Sequence, residues 1–518
     1  MQHEQPLLTN RTNFRRWPWL LLLLVLAFPH VSLGQEPPDT NYDESKVPKY
    51  ELPDPLVCFD GRPVSDAAMW RETRRPEILQ AFAQHVYGLT PEIKTHLRFE
   101  TIGADAKVFD GLATRKQIRI WLLDAEDAPW IDLLLYIPNH TSGPAPVFLG
   151  LNYGNQGVHP DPEIIPSRNA VCERGEHGLR WPLELLLKRG YAVASFHGGD
   201  IELDRYGSGC RFTDEGWQKG IRHFVMQQSG RTELADDEWG SLGAWAWGLS
   251  RALDYLQTDP TIDGNGVAVF GHSRTAKAAL WAGAQDERFA LVISNNSGQG
   301  GASLGRRRYG ETVAASWSLS GIWYCRNYQK YGNHETVLPV DAHQLIASIA
   351  PRPVYVASAE QDRWADPRGE FLAALHAESV YELHGRPGLG VVDMPDVDRP
   401  VGRTIGYHVR TGDHEITPYD WGRYLDFADR HLRSRRVLYN FDGDSCLSTK
   451  AGGKGPVPVN VEDVKRLIEE VAYEGSQVDT ILVCVNAQVM YYPTKVGTMR
   501  GTLSTAEERA KWPASEKQ

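Results

Sequence analysis

Ser273 lies in a sequence context that could make it a nucleophile. It follows a short apolar run with β-branched members, Val267 to Phe270, and then Gly271, and it precedes a segment rich in Ala, Leu and Lys. This order predicts a strand, a sharp turn and a helix start, with the serine at the corner. Such a turn lifts Oγ above the sheet edge, and the amides that open the helix face the oxyanion formed when Oγ attacks a carbonyl. The alternative is an ordinary turn in which the serine caps the helix.

Two later segments could supply the partners of that nucleophile. Asp362 follows a predicted strand at Val354 to Ala357, and His414 follows a predicted strand at Ile405 to Val409. Chemistry collects at the carboxyl ends of parallel strands, so these residues should meet Ser273. The chain order Ser, Asp, His is that of the α/β hydrolases, in which histidine takes the serine proton and the acid stabilises the imidazolium.

Each member of this predicted triad has an alternative. Glu360 and Asp366 compete with Asp362, because a strand end predicted from sequence can be wrong by a few residues. Asp362 could otherwise cap a helix or serve a turn, and His414 could be a histidine of a surface loop.

The elements that must position these residues alternate along the chain. We predict an α/β fold class, with a mostly parallel central sheet covered by helices on both faces, opened by a hairpin within Gln117 to Pro138. Besides those already named, the predicted strands are Val147 to Leu151, Tyr191 to Phe196 and Leu291 to Ser294. The predicted helices are Trp70 to Tyr87, Leu183 to Lys188, Ala244 to Leu256, Thr275 to Ala284, Ala342 to Ile349, Phe371 to Ala377 and Trp421 to Leu432.

Composition excludes some functions. The 518 residues are 42% hydrophobic, which suits a globular protein with a large core. A net charge of −11 without a basic stripe argues against a nucleic-acid partner. His334, Glu335, Asp341 and His343 lie close together but lack the histidine spacing of a zincin, so we expect a structural role for them and neither metal nor cofactor.

The chain is predicted to have four parts. Residues 1–34 have the basic start, the apolar run and the small residues before Gln35 that are typical of a signal peptide, with an uncleaved anchor as the alternative. We therefore expect export to the periplasm or the medium, without stable membrane insertion after cleavage. Residues 35–55 are a linker or wrapping segment, 56–436 the main domain, and 437–518 an accessory or truncated module of unknown role, in which we predict a helix at Val461 to Val471 and a buried strand at Thr480 to Val485.

The chain contains six cysteines. Disulfides are permitted in an exported protein, and Cys172 and Cys210 lie in the loops before and after one predicted strand. We expect these two to pair, and free buried thiols are the alternative.

From about Leu52 to Leu432 the chain resembles the glucuronoyl esterases of carbohydrate esterase family 15. That family's serine turn reads Gly-Cys/His-Ser-Arg-x-Gly-Lys, and this chain has GHSRTAK at 271–277, with Ala276 in place of glycine. The stretches CFDGRPV, HVYG, FLGLNYGN, RPVYVASAEQDRWADP and LDFADRHL are also similar to bacterial members. The resemblance implies an α/β-hydrolase fold.

The resemblance also implies roles for further residues. Arg274 should help to hold the oxyanion, Lys277 should bind sugar hydroxyls, and Glu311 and Trp364 should line the sugar site. The alternatives are solvated cations for the two basic residues, a loop carboxylate for Glu311 and core packing for Trp364.

The fungal-type members carry their acid at a position where this chain has Asn296, which cannot ionise. Other members have an aspartate after the next strand, so the resemblance also selects Asp362. The amide of Asn296 could still hydrogen-bond to His414.

The expected activity is that of a serine esterase. The resemblance implies hydrolysis of the ester between 4-O-methylglucuronic acid of xylan and lignin alcohols, so glucuronoxylan or a lignin-carbohydrate ester is the expected partner. We expect a monomer. Another plant-polysaccharide serine esterase, acetyl or feruloyl, is the alternative activity, and a noncatalytic carbohydrate-binding relic is a second alternative.

Overall fold

A ten-stranded sheet runs through the main part of the protein. The computed structural model describes residues 40–204, 219–433, 437–441, 478–483, 489–490 and 498–499. The strands of the sheet are β1 Arg98–Val108, β2 Ala113–Trp121, β3 Trp130–Pro138, β4 Ala145–Asn152, β5 Ala192–His197, β6 Ile262–His272, β7 Leu291–Asn295, β8 Val354–Ala359, β9 Val401–Gly402 and β10 Ile405–Arg410.

The centre of this sheet is parallel. The spatial order is β1-β2-β3-β5-β4-β6-β7-β8-β10-β9. Strands β5, β4, β6, β7, β8 and β10 are parallel neighbours. Strands β1, β2 and β3 form an antiparallel meander that joins β5, and β9 closes the other edge. The carboxyl ends of six strands therefore meet at one rim of the sheet.

Helices cover both faces. They are α1 Ala67–Met69, α2 Arg75–Phe82, α3 Asn155–Val158, α4 Leu183–Lys188, α5 Ile221–Gln228, α6 Ser241–Leu256, α7 Arg274–Gln285, α8 Val313–Ser320, α9 Ala342–Ala347, α10 Pro367–His376, α11 Glu378–Leu383 and α12 Pro418–His431. Two π-helical segments, Trp70–Arg74 and Ala83–Tyr87, flank α2. Short 3-10 turns occupy several connections, including Gly305–Arg307 and Arg363–Ala365.

Alternate residues of the central strands face two separate cores. On β6, Val267 and Val269 join a core with α6, α7, α9 and α10, whereas Ala268 and Phe270 join a second core with α4 and α12. Side chains on a strand alternate between its faces, so each face of the sheet receives its own layer of helices. The predicted α/β class and its two-sided covering are confirmed.

The predicted strands and helices of the main domain correspond to elements of the structure, with bounds that differ by a few residues, and the structure has further elements that were not predicted, among them β1, β9, α5, α8 and α11. The strand before Ser273 continues to His272, two residues beyond the predicted end, and so delivers the serine directly at its terminus. Strand β1 was not predicted, because most of its side chains are exposed and its sequence lacks an apolar alternation.

The ends of the chain are described only in part. Strand β11 Val437–Phe441 pairs in parallel with β12 Val478–Val483, and β13 Val489–Met490 pairs with β14 Thr498–Met499. The predicted strand at Thr480 to Val485 corresponds to β12, shifted by two residues. The predicted signal peptide and the helix predicted at Val461 to Val471 lie outside the described residues. Within the described ranges no helix has the length and apolarity needed to cross a membrane.

The expected bridge from Cys172 is wrong for this structure. Cys172 is a free thiol, half-buried against the backbone of Gly154 and Gly157. Burial and the negative charge of Glu176 raise the pKa of its thiol. Cys210, its expected partner, lies outside the described residues.

The contact between β6 and α7 requires a glycine at position 271. A Cβ there would lie 2.3 Å from the backbone oxygen of Thr275, so the strand and the helix could not approach as closely. We expect Gly271→Ala to lower the free energy of unfolding by about 1–3 kcal/mol through overpacking. Gly422→Ala is the control, because that helical glycine has open space around it and alanine should stabilise α12 by about 0.5–1 kcal/mol. Urea unfolding of both variants measures the difference, and equal stabilities would contradict the packing argument.

Candidate active site

Ser273 stands alone between a strand and a helix. Strand β6 ends at His272 and α7 begins at Arg274, which leaves the serine at φ 58° and ψ −133°. An L-residue rarely adopts this conformation, because it costs of the order of 1–3 kcal/mol and persists only where the surrounding structure imposes it. Here the Thr275 hydroxyl donates to the carbonyl of His272 at 2.7 Å, and the serine N–H donates to the carbonyl of Asn295 at 2.9 Å. The turn therefore has the geometry of a nucleophile elbow.

His414 and Asp362 meet across two neighbouring strand ends. The loops after β8 and β10 bring His414 Nδ1 to 2.6 Å from Asp362 Oδ2, and Nδ1–H donates to the carboxylate. This bond fixes the imidazole tautomer and leaves Nε2 for a proton from the nucleophile. Ser273, Asp362 and His414 all line one cavity of about 350 Å³.

Two more donors hold the Asp362 carboxylate. The Asn296 amide donates to Oδ2 at 2.6 Å, and the backbone N–H of Ala365 donates to Oδ1 at 3.3 Å. Burial alone would raise the pKa of Asp362, but the hydrogen bond and charge of His414 together with these donors hold it below its ordinary value. The carboxylate is therefore ionised at neutral pH. The bond suggested between Asn296 and His414 is replaced by this one to Asp362.

The two competing acids lie elsewhere. Glu360 is exposed and does not line the cavity. Asp366 is buried, accepts from Arg307 Nε at 2.8 Å, and caps the start of α10 through the N–H of Gly369. Its role is structural, so Asp362 is the only one of the three that contacts His414.

Arg274 is held beside the serine by an ion pair and two aromatic rings. Its Nε donates to Asp204 Oδ2 at 2.9 Å, and Trp323 Nε1 donates to the same carboxylate at 3.2 Å. The guanidinium carbon lies 4.6 Å from the ring centroid of Tyr153. Arg274 is thus a fixed cation at the first position of α7, which suits stabilisation of a developing oxyanion.

Lys277 and Glu311 form a buried ion pair in the wall of the cavity. Lys277 Nζ lies 2.9 Å and 3.1 Å from the two Glu311 oxygens, and it donates to the carbonyl of Gln299 at 2.5 Å. Lys277 is 3% exposed, so it is not a solvated cation, and Glu311, at 6% exposed, is a buried carboxylate paired with it. A desolvated pair of this kind can present both a donor and an acceptor to hydroxyl groups of a ligand.

Trp364 is half-buried and lines the same cavity, so it is not a core residue. Its carbonyl accepts from the backbone N–H of Glu311 at 2.8 Å, which ties the two predicted sugar-site residues together. The structure thus brings all seven predicted site residues to one cavity.

Several residues of the site were not predicted from the sequence. Tyr42, Trp323 and Arg363 line the cavity, and Tyr42 comes from the polar segment predicted to be a linker or wrap. A lone tyrosine in a polar segment carries no signal of its own. The contribution of Trp323 and Tyr153 to the site is evident only from the structure, which places both rings beside Arg274.

A third buried carboxyl supports the floor of the site. Glu370 Oε1 accepts from the backbone N–H groups of Ser297 and Gly298 at 2.8 Å and 3.1 Å, and Oε2 accepts from the Ser358 hydroxyl at 2.6 Å. Burial raises the pKa of Glu370 to about 8. Both backbone donors belong to the turn that follows Asn296, so Glu370 holds that turn against β8.

Two groups of side chains of the types that bind metals lie away from the cavity. His343 Nε2–H donates to the carbonyl of Pro53 at 2.8 Å, and Asp341 caps α9, which fits the structural role expected for that segment. In the described part of the chain, the ligand atoms of Cys172, Glu176 and His177 lie within 4.8 Å of one another. None of these three lines the active-site cavity.

A parallel-centred sheet of ten strands, with a serine in a strained strand-to-helix turn and an Asp-His pair at neighbouring strand ends, defines an α/β-hydrolase-like protein. Comparison with known proteins narrows this class. A family profile described as "Glucuronyl esterase, fungi" matches residues 234–385. The carbohydrate esterase MZ0003, from an unknown prokaryotic organism, is 42% identical over 432 residues, which cover 80% of this chain and 98% of that protein.

Solved structures agree with this relationship. A promiscuous CE15 esterase from a marine bacterial metagenome is 44% identical, with a TM-score of 0.70 over 76% of this chain and 100% of that one. The glucuronoyl esterase from Solibacter usitatus is 43% identical, with a TM-score of 0.70 over 75% of this chain and 99% of its own. The chain belongs to carbohydrate esterase family 15, the glucuronoyl esterases, and is a carboxylic ester hydrolase. The predicted family is confirmed.

The geometry at Asp362 predicts a large effect of removing its charge. We expect Asp362→Asn to lower turnover of a glucuronate ester by about 10² to 10⁴-fold, because an amide neither stabilises the imidazolium nor enforces the tautomer. Glu360→Gln is the matched control and should leave turnover unchanged, since that side chain is exposed and away from His414. Steady-state kinetics of the two variants on one ester decide the assignment, and a larger loss for Glu360→Gln would make Asp362 the wrong acid.

Proposed function

We propose that the protein hydrolyses esters between the carboxyl group of a glucuronic acid and an alcohol, through a covalent intermediate on Ser273. The observation that carries this proposal is the shared cavity, which places the nucleophile turn, the His414–Asp362 pair and the buried Lys277–Glu311 pair around one space. The first two could cleave an ester. The ion pair supplies polar groups suited to a sugar.

Each step of the reaction uses a group already in place. Ser273 Oγ attacks the ester carbonyl while His414 Nε2 takes its proton, and the charge of Asp362 stabilises the resulting imidazolium. The N-terminal amides of α7 and the Arg274 guanidinium stabilise the tetrahedral oxyanion. The alcohol leaves with the proton from His414, and a water activated by the same imidazole then releases the acid.

Recognition of the sugar falls to the part of the cavity wall that Lys277, Glu311 and Trp364 form. Lys277 and Glu311 would bind the ring hydroxyls, and Trp364 would lie against the apolar face of the ring. The names of relatives support a uronic acid ester, since a protein from Wolfiporia cocos that is 27% identical over 70% of this chain and 81% of its own length is a 4-O-methyl-glucuronoyl methylesterase. In this proposal the ester of 4-O-methylglucuronate on xylan with lignin alcohols is the natural substrate.

Export of the enzyme forms part of the proposal. Such a polymeric substrate lies outside the cell, and residues 1–34 have the sequence pattern of a signal peptide. Cleavage should leave Gln35 at the amino terminus of the mature protein, and N-terminal sequencing of exported enzyme tests this. A retained leader would argue for the anchor instead.

A second candidate activity is hydrolysis of acetyl or feruloyl esters. It is kept because the relative from the marine metagenome, 44% identical to this chain, is described as promiscuous. The same triad would serve these esters, so only the contacts to the acid part of the substrate separate the two activities.

The two activities are distinguished by comparing benzyl glucuronate with an acetylated xylose and methyl ferulate. We expect kcat/KM for benzyl glucuronate to exceed the others by about 10-fold or more, because only this substrate carries its sugar hydroxyls on the acyl side of the ester. Ser273→Ala should abolish turnover of all three. A preference for the acetyl or feruloyl ester would show that the proposed substrate is wrong. A Ser273→Ala variant with more than about a tenth of normal turnover would show that Ser273 is not the nucleophile.

The Lys277–Glu311 pair should act on sugar substrates selectively. We expect Lys277→Ala to lower kcat/KM for benzyl glucuronate by about 10 to 100-fold, the value of one or two charge-assisted hydrogen bonds, and to change hydrolysis of an aryl acetate far less. The double variant Lys277→Met with Glu311→Gln guards against misfolding, because it leaves no unpaired buried charge. Kinetics on both substrates give the ratio, and equal losses would assign the pair a structural role.

A further inference from the structure

A buried arginine, Arg410, donates to several carbonyls of the loop that carries His414. Arg410 is the last residue of β10 and is 3% exposed. It donates from Nη1 to the carbonyl of Thr411 at 2.9 Å, and from Nη2 to the carbonyls of Asp413, at 3.0 Å, and Glu415. Two of these acceptors belong to the residues directly before and after His414.

The loop is shaped to allow these contacts. Gly412 has φ 106°, and a Cβ at that position would lie 3.1 Å from Arg410 Nη1. The chain therefore curls around the guanidinium and turns its carbonyls inward. Without the arginine these three inward carbonyls would lose their donors, so the loop conformation depends on it.

Arg410 is itself held by Asp420, which is fully buried in α12. Asp420 Oδ2 accepts from Arg410 Nε at 2.8 Å, and from the N–H and the hydroxyl of Thr417, each at 2.7 Å. Burial alone would raise the pKa of Asp420, but His408 and Arg410 keep it below the ordinary value. Since Thr417 is the N-cap of α12, the carboxylate holds both ends of the segment 411–417.

Asp420 is also linked, through Asn295, to the ring of His272, which lies beside the His414 imidazole. Asp420 Oδ1 accepts from Asn295 Nδ2 at 3.3 Å, and Asn295 Oδ1 lies 2.5 Å from His272 Nδ1. The His272 ring centroid is 4.7 Å from that of His414. Burial and the neighbouring His414 imidazole hold the pKa of His272 well below its ordinary value, so the His272 ring beside His414 is uncharged.

We propose that Arg410, anchored by Asp420, is the positioning residue that fixes His414 for proton transfer. The proposal rests on the catalytic role of His414 proposed above. Arg410 does not line the cavity, so it acts on the substrate only through the loop. Its planar fork makes one bond to the anchor and three to the loop, which a lysine ammonium cannot reproduce.

This arrangement predicts a specific kinetic signature. A misplacement of about 1 Å in a catalytic group can cost about 10²-fold in rate, whereas ground-state binding of the sugar uses other residues. Loss of the Arg410 contacts should therefore lower kcat by about 10 to 100-fold and leave KM within about two-fold.

Arg306 provides a matched control. It is 6% exposed, pairs with Asp341 at 3.2 Å, and donates to the carbonyls of Thr336, Leu338 and Val340. Its chemistry is that of Arg410, but its loop carries none of the proposed catalytic residues and it does not line the cavity. Replacing it should disturb stability to a similar degree.

The experiment compares Arg410→Met, Arg410→Lys and Arg306→Met. For each variant, kcat and KM on benzyl glucuronate and the rate of inactivation by a serine-reactive phosphonate are measured well below its melting temperature. We expect Arg410→Met to lose kcat and phosphonate reactivity together, Arg410→Lys to lose less, and Arg306→Met to retain both. If Arg410→Met does not fold, Arg410→Lys carries the test, because it keeps the charge next to Asp420.

Two results would overturn the proposal. The first is wild-type kcat and phosphonate reactivity in a folded Arg410 variant. The second is an equal loss in Arg306→Met, which would make the effect one of general stability. Phosphonate reactivity does not depend on the sugar substrate. The His414→Ala variant tests the triad separately, because retained activity in that variant would contradict the proposed function rather than the role of Arg410.

Discussion

The site depends on one backbone constraint, the turn at Ser273. The serine is held at a positive φ because β6 and α7 leave only one residue between them. Gly271 lets the helix start against the strand, Thr275 bonds back to His272, and Asn295 accepts from the serine amide. The strain is imposed by the packing of the sheet and of a long buried helix, which together outweigh a local cost of the order of 1–3 kcal/mol.

Around this turn, three buried carboxyl groups each hold one part of the site. Asp362 orients His414, Asp420 clamps the ends of the histidine loop, and Glu370 holds the turn after Asn296. Asp420 and Glu370 are fully buried and Asp362 is 5% exposed. Buried carboxyl groups are tolerated when their hydrogen-bonding capacity is filled, and each of these accepts from several donors. Water-accessible loops thereby acquire the rigidity that a catalytic geometry needs.

The sequence was sufficient to predict the fold class and the three residues of the proposed triad. Their signals are local: a strand-turn-helix pattern at Ser273, and polar turns after the strands that precede Asp362 and His414. The predicted strand ends were accurate enough to limit the candidates for the acid to three residues. Of these three, Asp362 is the one that contacts His414 in the structure.

The supporting residues had no such signal. Arg410, Asp420 and Glu370 resemble ordinary charged residues of a strand and two helices, and their roles arise from contacts that sequence spacing does not encode. Tyr42 reaches the cavity from a segment more than 200 residues before Ser273, with its carbonyl accepting from Tyr309 Oη. The expected bridge of Cys172 failed for a similar reason, because loop position alone does not fix the direction of a side chain.

The proposed reaction cleaves the ester through a covalent bond to Ser273. The most direct measurement is rapid quenching of the enzyme during turnover of a glucuronate ester, followed by peptide mass spectrometry. We expect a glucuronoyl group on the peptide that contains Ser273, and its absence in the Ser273→Ala variant. Release of alcohol without any adduct, or an adduct on a different residue, would contradict it.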